Sequence, residues 1–145
     1  MYFKSILKNI SLELGHTWYH GPKSFQNLQD QLKTPAPLSP VCYLHFPIRG
    51  TNKRKKQGFG ETEYSIEILL GKQSQLHWEM DLHDAVIEEM EAVGHIFLNK
   101  IINSPEIHEV SAYNIYEVIN IFDMNLSGVI IECTITPFDR RPNCG

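Results

Sequence analysis

Residues able to bind a metal ion are concentrated in one stretch that has a helical pattern. Imidazole and carboxylate groups are supplied there by His77, Asp81, His83, Asp84 and Glu88. A zinc helix of the HExxH type places two histidines four residues apart, whereas His77 and His83 are six apart. His83 also falls on the apolar stripe of the helix, where a core or interface histidine is the commoner role. We therefore predict no metal site.

The thiols and glycines give no catalytic motif either. Cys42, Cys133 and Cys144 are odd in number and lack CxxC spacing, which is typical of free thiols in a reducing compartment. Cys42 and Cys133 fall in predicted strands, where cysteine usually serves as a small buried hydrophobe. The glycines of "GFG" at 58–60 precede a strand and not a helix, so no phosphate-binding loop is indicated. We predict that the protein is not an enzyme and needs no cofactor.

The segment "RGTNKRKKQGFGET" at 49–62 holds a dense group of positive charges: Arg49, Lys53, Arg54, Lys55 and Lys56. The whole chain has a net charge of −4. Without these five residues, 8 basic and 17 acidic residues remain, and their net charge is −9. A globally basic, nucleic-acid-coating protein is therefore disfavoured. Three interpretations of this segment stay open: a solvated loop, a contact with protein, and a non-specific contact with a nucleic-acid backbone.

Six acids and no Lys or Arg occupy the first half of the same helical stretch: Glu79, Asp81, Asp84, Glu88, Glu89 and Glu91. Acids near a helix start are favoured by the helix dipole, and they keep an exposed face hydrated. A second interpretation is that this acidic face contacts the basic segment of a neighbouring copy. Such a head-to-tail contact can close into a ring.

The N-terminal part of the chain predicts one helix followed by an irregular arm. The whole chain of 145 residues, 42% of them hydrophobic, is expected to form a single domain over 1–145. Apolar residues at helical spacing predict a helix over 2–14. Several prolines over 15–40 predict an irregular connecting arm. No segment has the length and apolar character of a signal peptide or a membrane span.

The rest of the chain predicts two hairpins separated by a long helix. Strands are expected over 41–48 and 63–70, with 49–62 as the mobile basic loop of the hairpin and Pro47 at an edge or bulge. The helical period returns over 76–102, with Ser74 as its N-cap. A second hairpin follows, and its parts are strands over 113–122 and 128–136 and a C-terminal tail over 137–145.

This order, α-β-β-α-β-β, predicts an α+β domain in which an antiparallel sheet packs against one long helix. In that order of elements the chain resembles the tail terminator and neck-ring proteins of tailed bacteriophages. The resemblance is carried by the N-terminal helix, the irregular arm, the strands "PVCYLHF" and "EYSIEILL" around a mobile loop, the long helix and the final segment "FDMNLSGVIIECTIT".

The resemblance implies a structural virion protein made in the host cytoplasm, with no membrane association. Members of this family form rings of six or, in connectors, twelve copies at the head-tail junction or tail top, against other neck, tail or portal proteins. The segment from Arg49 to Lys56 would then reach the lumen or an adjacent ring and contact passing DNA without reading its sequence. The alternative is a small cytosolic accessory protein that binds nucleic acid through the same segment.

Overall fold

Two helices and one mixed sheet of six strands make up the described part of the chain. The computed structural model describes residues 3–22, 40–54, 60–74, 79–121 and 126–137. The elements follow in the order α1 (Phe3–Glu13), β1 (Thr17–Pro22), β2 (Val41–Phe46), β3 (Arg49–Arg54), β4 (Gly60–Gln73), α2 (Met80–Ile102), β5 (Ile107–Ile121) and β6 (Leu126–Pro137). The α+β class predicted from the sequence is confirmed.

The sheet is built around the pair β4 and β6. Its strand order is β1-β2-β4-β6-β5, and β3 pairs with β4 beyond the end of β2. All neighbours are antiparallel except β1 and β2. The chain from β2 to β3 forms one broken strand, because Leu44 lies opposite Ile68 whereas Arg49 lies opposite Ser65. Pro47, which cannot donate a main-chain hydrogen bond, lies at this irregularity, where an edge or bulge was expected.

The core lies between one face of the sheet and both helices. In α1, apolar residues at helical spacing pack against alternate residues of the strands, and α2 buries a residue at every third or fourth position. The largest of these buried side chains include Phe3, Leu7, Leu44, Ile68, Leu70, Ile87, Met90, Phe97 and Ile101. Neither helix of the described residues is both long and apolar enough to cross a membrane.

The opposite face of the sheet carries no helix among the described residues, and we call it the helix-free face. One end of this face is apolar and buried, and it consists of Val41, Tyr43, Leu69, Leu126 and Ile130, with Tyr19 and Val118 packed beside them. The other end is polar and more exposed. The two halves of this face therefore differ in character, and the polar half holds the cavity described below.

The predicted order of elements is wrong at β1, which lies inside the predicted irregular arm. The strand forms because its side chains find partners on both faces of the sheet. Trp18 packs against the main core, and the ring of Tyr19 lies 4.7 Å from that of Tyr43. Strand β1 extends to Pro22, and residues 23–39 of the predicted arm, which include Pro35 and Pro37, lie outside the described residues.

The predicted basic loop is also partly wrong, because its first six residues form β3. All six residues pair with β4 in antiparallel register, from Arg49 opposite Ser65 to Arg54 opposite Gly60. The Thr62 hydroxyl donates a 2.6 Å hydrogen bond to Asn52 Oδ1. Residues 55–59, the remainder of the expected loop, lie outside the described residues.

The long helix begins at Met80. The prediction that Ser74 caps it is wrong. Glu79 precedes the helix and makes no side-chain capping bond. The Ser74 hydroxyl instead hydrogen-bonds to that of Ser127 at 2.7 Å, and Ser127 Oγ lies 3.3 Å from His83 Nδ1. All three side chains are buried, so His83 has the core position expected of it. This polar group joins the ends of β4 and β6 to the first turn of α2.

The last two strands are longer than predicted. Strand β5 begins at Ile107, six residues before the expected start at Tyr113, and β6 runs from Leu126 to Pro137. The extra residues of β5 pair with the end of β6 across two register shifts, which the alternation of the sequence does not reveal. The predicted tail lies outside the described residues from 138 onward.

We predict that Gly128→Ala destabilises the protein strongly. A Cβ at Gly128 would overlap the carbonyl oxygen of Leu70 on the paired strand, so the central pair of strands would have to separate locally. The expected loss is about 3 kcal/mol in the free energy of unfolding, measured by urea denaturation. Ser111→Ala, at an exposed site of β5, is the control and should change the value by less than about 0.5 kcal/mol. An unchanged midpoint for Gly128→Ala would contradict the central pairing.

Candidate functional site

A cavity opens on the polar half of the helix-free face, where β2 gives way to β3. Its volume is about 410 Å³. Polar and charged side chains from five strands line it, among them His45, Arg49, Ser65, Glu67, Asn114, Glu132 and Thr134. The cavity therefore gathers several ionisable groups from distant parts of the sequence.

Glu67 lies at the centre of this group. The Tyr116 hydroxyl donates a 2.8 Å hydrogen bond to Glu67 Oε1, and His45 Nδ1 lies 3.4 Å from Glu67 Oε2. The latter distance fits an ion pair but is long for a hydrogen bond. Glu132 lies directly opposite Glu67 in the pairing of β4 with β6. Both oxygens of Glu67 are thus engaged by groups of the protein itself.

Tyr116 acts as a donor in this network. Burial, and next the hydrogen bond to Glu67, raise the pKa of the Tyr116 phenol above its usual value. The hydroxyl keeps its proton at neutral pH and donates a hydrogen bond to the Glu67 carboxylate. The arrangement ties β5 to β4 across β6, and it favours a structural role for Glu67 over that of a general base.

The described residues do not supply a metal centre or a reactive thiol. They contain no group of three or more His, Cys, Asp or Glu side chains arranged to hold a metal ion. His77, one of the ligands considered from the sequence, lies outside them. Burial raises the pKa of both the Cys42 and the Cys133 thiols to about 12, so each stays protonated and unreactive at neutral pH.

The basic residues occupy an edge of the sheet. Arg49 is exposed and lies at the rim of the cavity, while Lys53 and Arg54 follow on β3. Lys55 and Lys56 lie outside the described residues. Among the strands described, β3 pairs with β4 alone, so its outer edge is unpaired there.

The six acids of the predicted partner face are all exposed. They do not form one uniform face, because Glu89 pairs with Lys72 at 3.4 Å on the flank of α2 that adjoins α1. Four others recur every three or four residues and form a stripe on the other flank, and we call Asp81, Asp84, Glu88 and Glu91 the acidic stripe. Within the described part of the chain, no ion pair engages this stripe.

The acidic stripe lies on the side of the subunit that carries β5. Helix α1 packs beside α2 and reaches β1, and Lys100 of α2 pairs with Glu13 of α1 at 3.1 Å. The other flank of α2 is directed away from α1, and α2 also packs against β5. The basic strand β3 lies on the opposite side of β4. Acidic side chains thus lie on the β5 side of the subunit, and the strand with the basic sequence lies on the other side.

Strand β5 is a further exposed surface, which the sequence did not single out. It ends the sheet, and three of its large side chains are exposed: Tyr113 by 52%, Tyr116 by 38% and Ile119 by 36%. Its fifteen residues contain no Lys, Arg, Pro or Gly. The lack of Lys and Pro was the sequence signal for an open edge, because proteins commonly use these residues to prevent a free edge strand from pairing.

Comparison with known proteins identifies no relative: no protein-family model matches the chain, and none of the curated proteins matches it. The resemblance to tail terminator and neck-ring proteins therefore stays a prediction.

We predict that Tyr116→Phe lowers the free energy of unfolding by about 1 kcal/mol, because Glu67 loses a donor at a partly exposed site. Tyr113→Phe on the same strand is the matched control and should have an effect below about 0.5 kcal/mol. Urea denaturation measures both. Equal effects of the two substitutions would show that the Tyr116 hydroxyl does not hold the network together.

Proposed function

We propose that this protein is a structural virion protein that forms a ring at the head-tail junction or tail top of a tailed bacteriophage. The ring adapts adjacent neck or tail components to one another and surrounds the DNA passage. The proposal depends chiefly on one observation, the opposite charges on opposite sides of the subunit. The acidic stripe lies on the β5 side, and the basic strand β3 lies on the other side.

Opposite charges in these positions favour a head-to-tail contact. A two-fold dimer would bring the acidic side against itself, or the basic side against itself, and would be opposed by repulsion. When the acidic side of one copy contacts the basic side of the next, the first copy still has a free basic side and the second a free acidic side. Repetition of that contact generates a closed ring if the rotation per copy allows it, and six or twelve copies are the numbers that the resemblance implies.

Charge alone does not make such a ring stable. An exposed ion pair contributes about 0.2 to 1 kcal/mol and is screened by salt. The contact therefore needs apolar area as well, and the exposed Tyr113, Tyr116 and Ile119 supply it on the acidic side. We expect assembly that depends on salt but survives at physiological ionic strength.

The basic segment then has two partners in the ring. Residues of β3 contact the neighbouring copy, and the charges that the sequence adds at Lys55 and Lys56 attract passing DNA. Passing DNA would be held by its phosphates without any reading of base sequence. This account needs no catalytic group and uses no metal ion or cofactor.

The decisive observation is the size of the purified protein at high concentration. Native mass spectrometry and negative-stain electron microscopy should show closed rings of six or twelve copies. A protein that stays monomeric, also with portal or tail components present, would contradict the ring. Salt-sensitive DNA binding by that monomer would favour the accessory-protein alternative.

We further predict that replacing Lys53, Arg54, Lys55 and Lys56 by Gln leaves folding intact and shifts the ring to at least 10-fold higher protein concentration. The reason is the loss of attraction to the acidic side of the next copy. Removing positive charge elsewhere, by Lys4→Gln with Lys8→Gln on α1, is the control and should leave assembly unchanged. Unfolding of the four-residue variant, seen by circular dichroism, would instead assign the segment a structural role.

A further inference from the structure

We propose that β5 of one copy pairs edge to edge with β3 of the next copy, so that one sheet continues from subunit to subunit. The inference rests on the proposed ring and adds to it the strands that join its members. Four observations support it: the state of each edge, the position of the edges, the direction of the strands and their charge.

The β5 edge is suited to pairing. From Ala112 to Val118, seven consecutive residues pair with β6 without a register shift, and the shifts lie only on either side of this run. On its outer side, this run has no partner among the described strands. Its N–H and C=O groups on that side are therefore available to another strand.

The β3 edge is its counterpart on the other side of the sheet. Six residues, Arg49–Arg54, pair with β4 on one side, and no described strand lies on the other. Strand β1 covers β2 but not β3. The outer edge of β1 is a poorer partner, because β1 ends in Gly21 and Pro22, and proline has no N–H to donate.

The direction of the strands allows regular pairing. Strands β3, β4, β6 and β5 follow one another across the sheet, and each is antiparallel to the next. Strands β3 and β5 of one copy therefore run in opposite directions. When two copies stand side by side in the same orientation, β5 of the first meets β3 of the second in antiparallel order, as in most of the sheet within each subunit.

Charge selects this pairing over pairing of like edges. Strand β5 contributes Glu109 and Glu117, whereas β3 contributes Arg49, Lys53 and Arg54. Pairing of β5 with β5 would bring acids together, and pairing of β3 with β3 would bring cations together. Both are disfavoured relative to the mixed pair.

An exchange of charges between the two edges tests this pairing. One variant carries Glu109→Lys and Glu117→Lys, and the other carries Arg49→Glu and Lys53→Glu. When either variant is present alone, the β5 edge of one copy meets a β3 edge of the same sign of charge in the next copy. Each variant should therefore form at least 10-fold less of the ring than the wild type does. An equimolar mixture restores attraction at every contact, so rings of strictly alternating composition should appear in native mass spectrometry.

The outcomes separate this inference from the proposed function. If each variant forms rings as the wild type does, or if the mixture fails to restore them, the β5 to β3 pairing is wrong while the ring itself stands. If the wild type forms no ring, the proposed function fails, and the inference fails with it. Should a charge reversal unfold the chain, Glu109→Gln with Glu117→Gln answers the same question: its rings should lose most of their sensitivity to salt, and unchanged sensitivity would overturn the pairing.

Discussion

The pairing of β4 with β6 is the constraint on which the rest of the structure depends. Ten consecutive residues of each strand, Tyr64–Gln73 and Leu126–Ile135, face one another without interruption. This register aligns alternate residues of the two strands, Ile66, Ile68 and Leu70 with Cys133, Ile131 and Val129, on the side of the helices. A shift by one residue would turn one strand's set to the other face. It also places Glu67 opposite Glu132 and Gly128 against Leu70. The core, the cavity and the two edges of the sheet all follow from this one register.

Much of the fold could be predicted from local patterns. Helices α1 and α2 have strong helical periods, and β4 and β6 alternate or are continuously apolar, so their existence and approximate limits were evident. The α+β class followed from them. The burial of His83, Cys42 and Cys133 was likewise indicated by their positions in these elements. These are properties that each segment shows without knowledge of its partners.

The features that were missed depend on partners distant in sequence. Strand β1 is stabilised by its parallel pairing with β2, more than twenty residues away, and no local pattern reports that pairing. Strand β3 is charged like a loop, but it pairs with β4 over Arg49–Arg54, and the sequence alone does not reveal that pairing. The cavity groups His45, Glu67, Tyr116 and Glu132 from four different strands. Each is a separate polar residue of its own strand, and only the register brings them together.

The charges and the sheet edges lead to the same account of assembly. The acidic stripe and the β5 edge share one side of the subunit, and the basic strand offers the opposite side an edge of its own. A subunit built in this way has a distinct head and tail, which is what a ring of identical copies requires. The polar network around Glu67 ties β5 to the centre of the sheet and holds that edge in place for its partner.

Hydrogen exchange tests the central claim, the pairing of β5 with β3 across copies, most directly. Amide exchange is compared between the assembled protein and the same protein diluted until it is monomeric. The account predicts that protection gained on assembly is concentrated in 112–118 and 49–54, at alternate residues of each strand, because their outward N–H groups become hydrogen-bonded. Protection confined to α1 and α2, with both strand edges exchanging as fast as in the monomer, would contradict it.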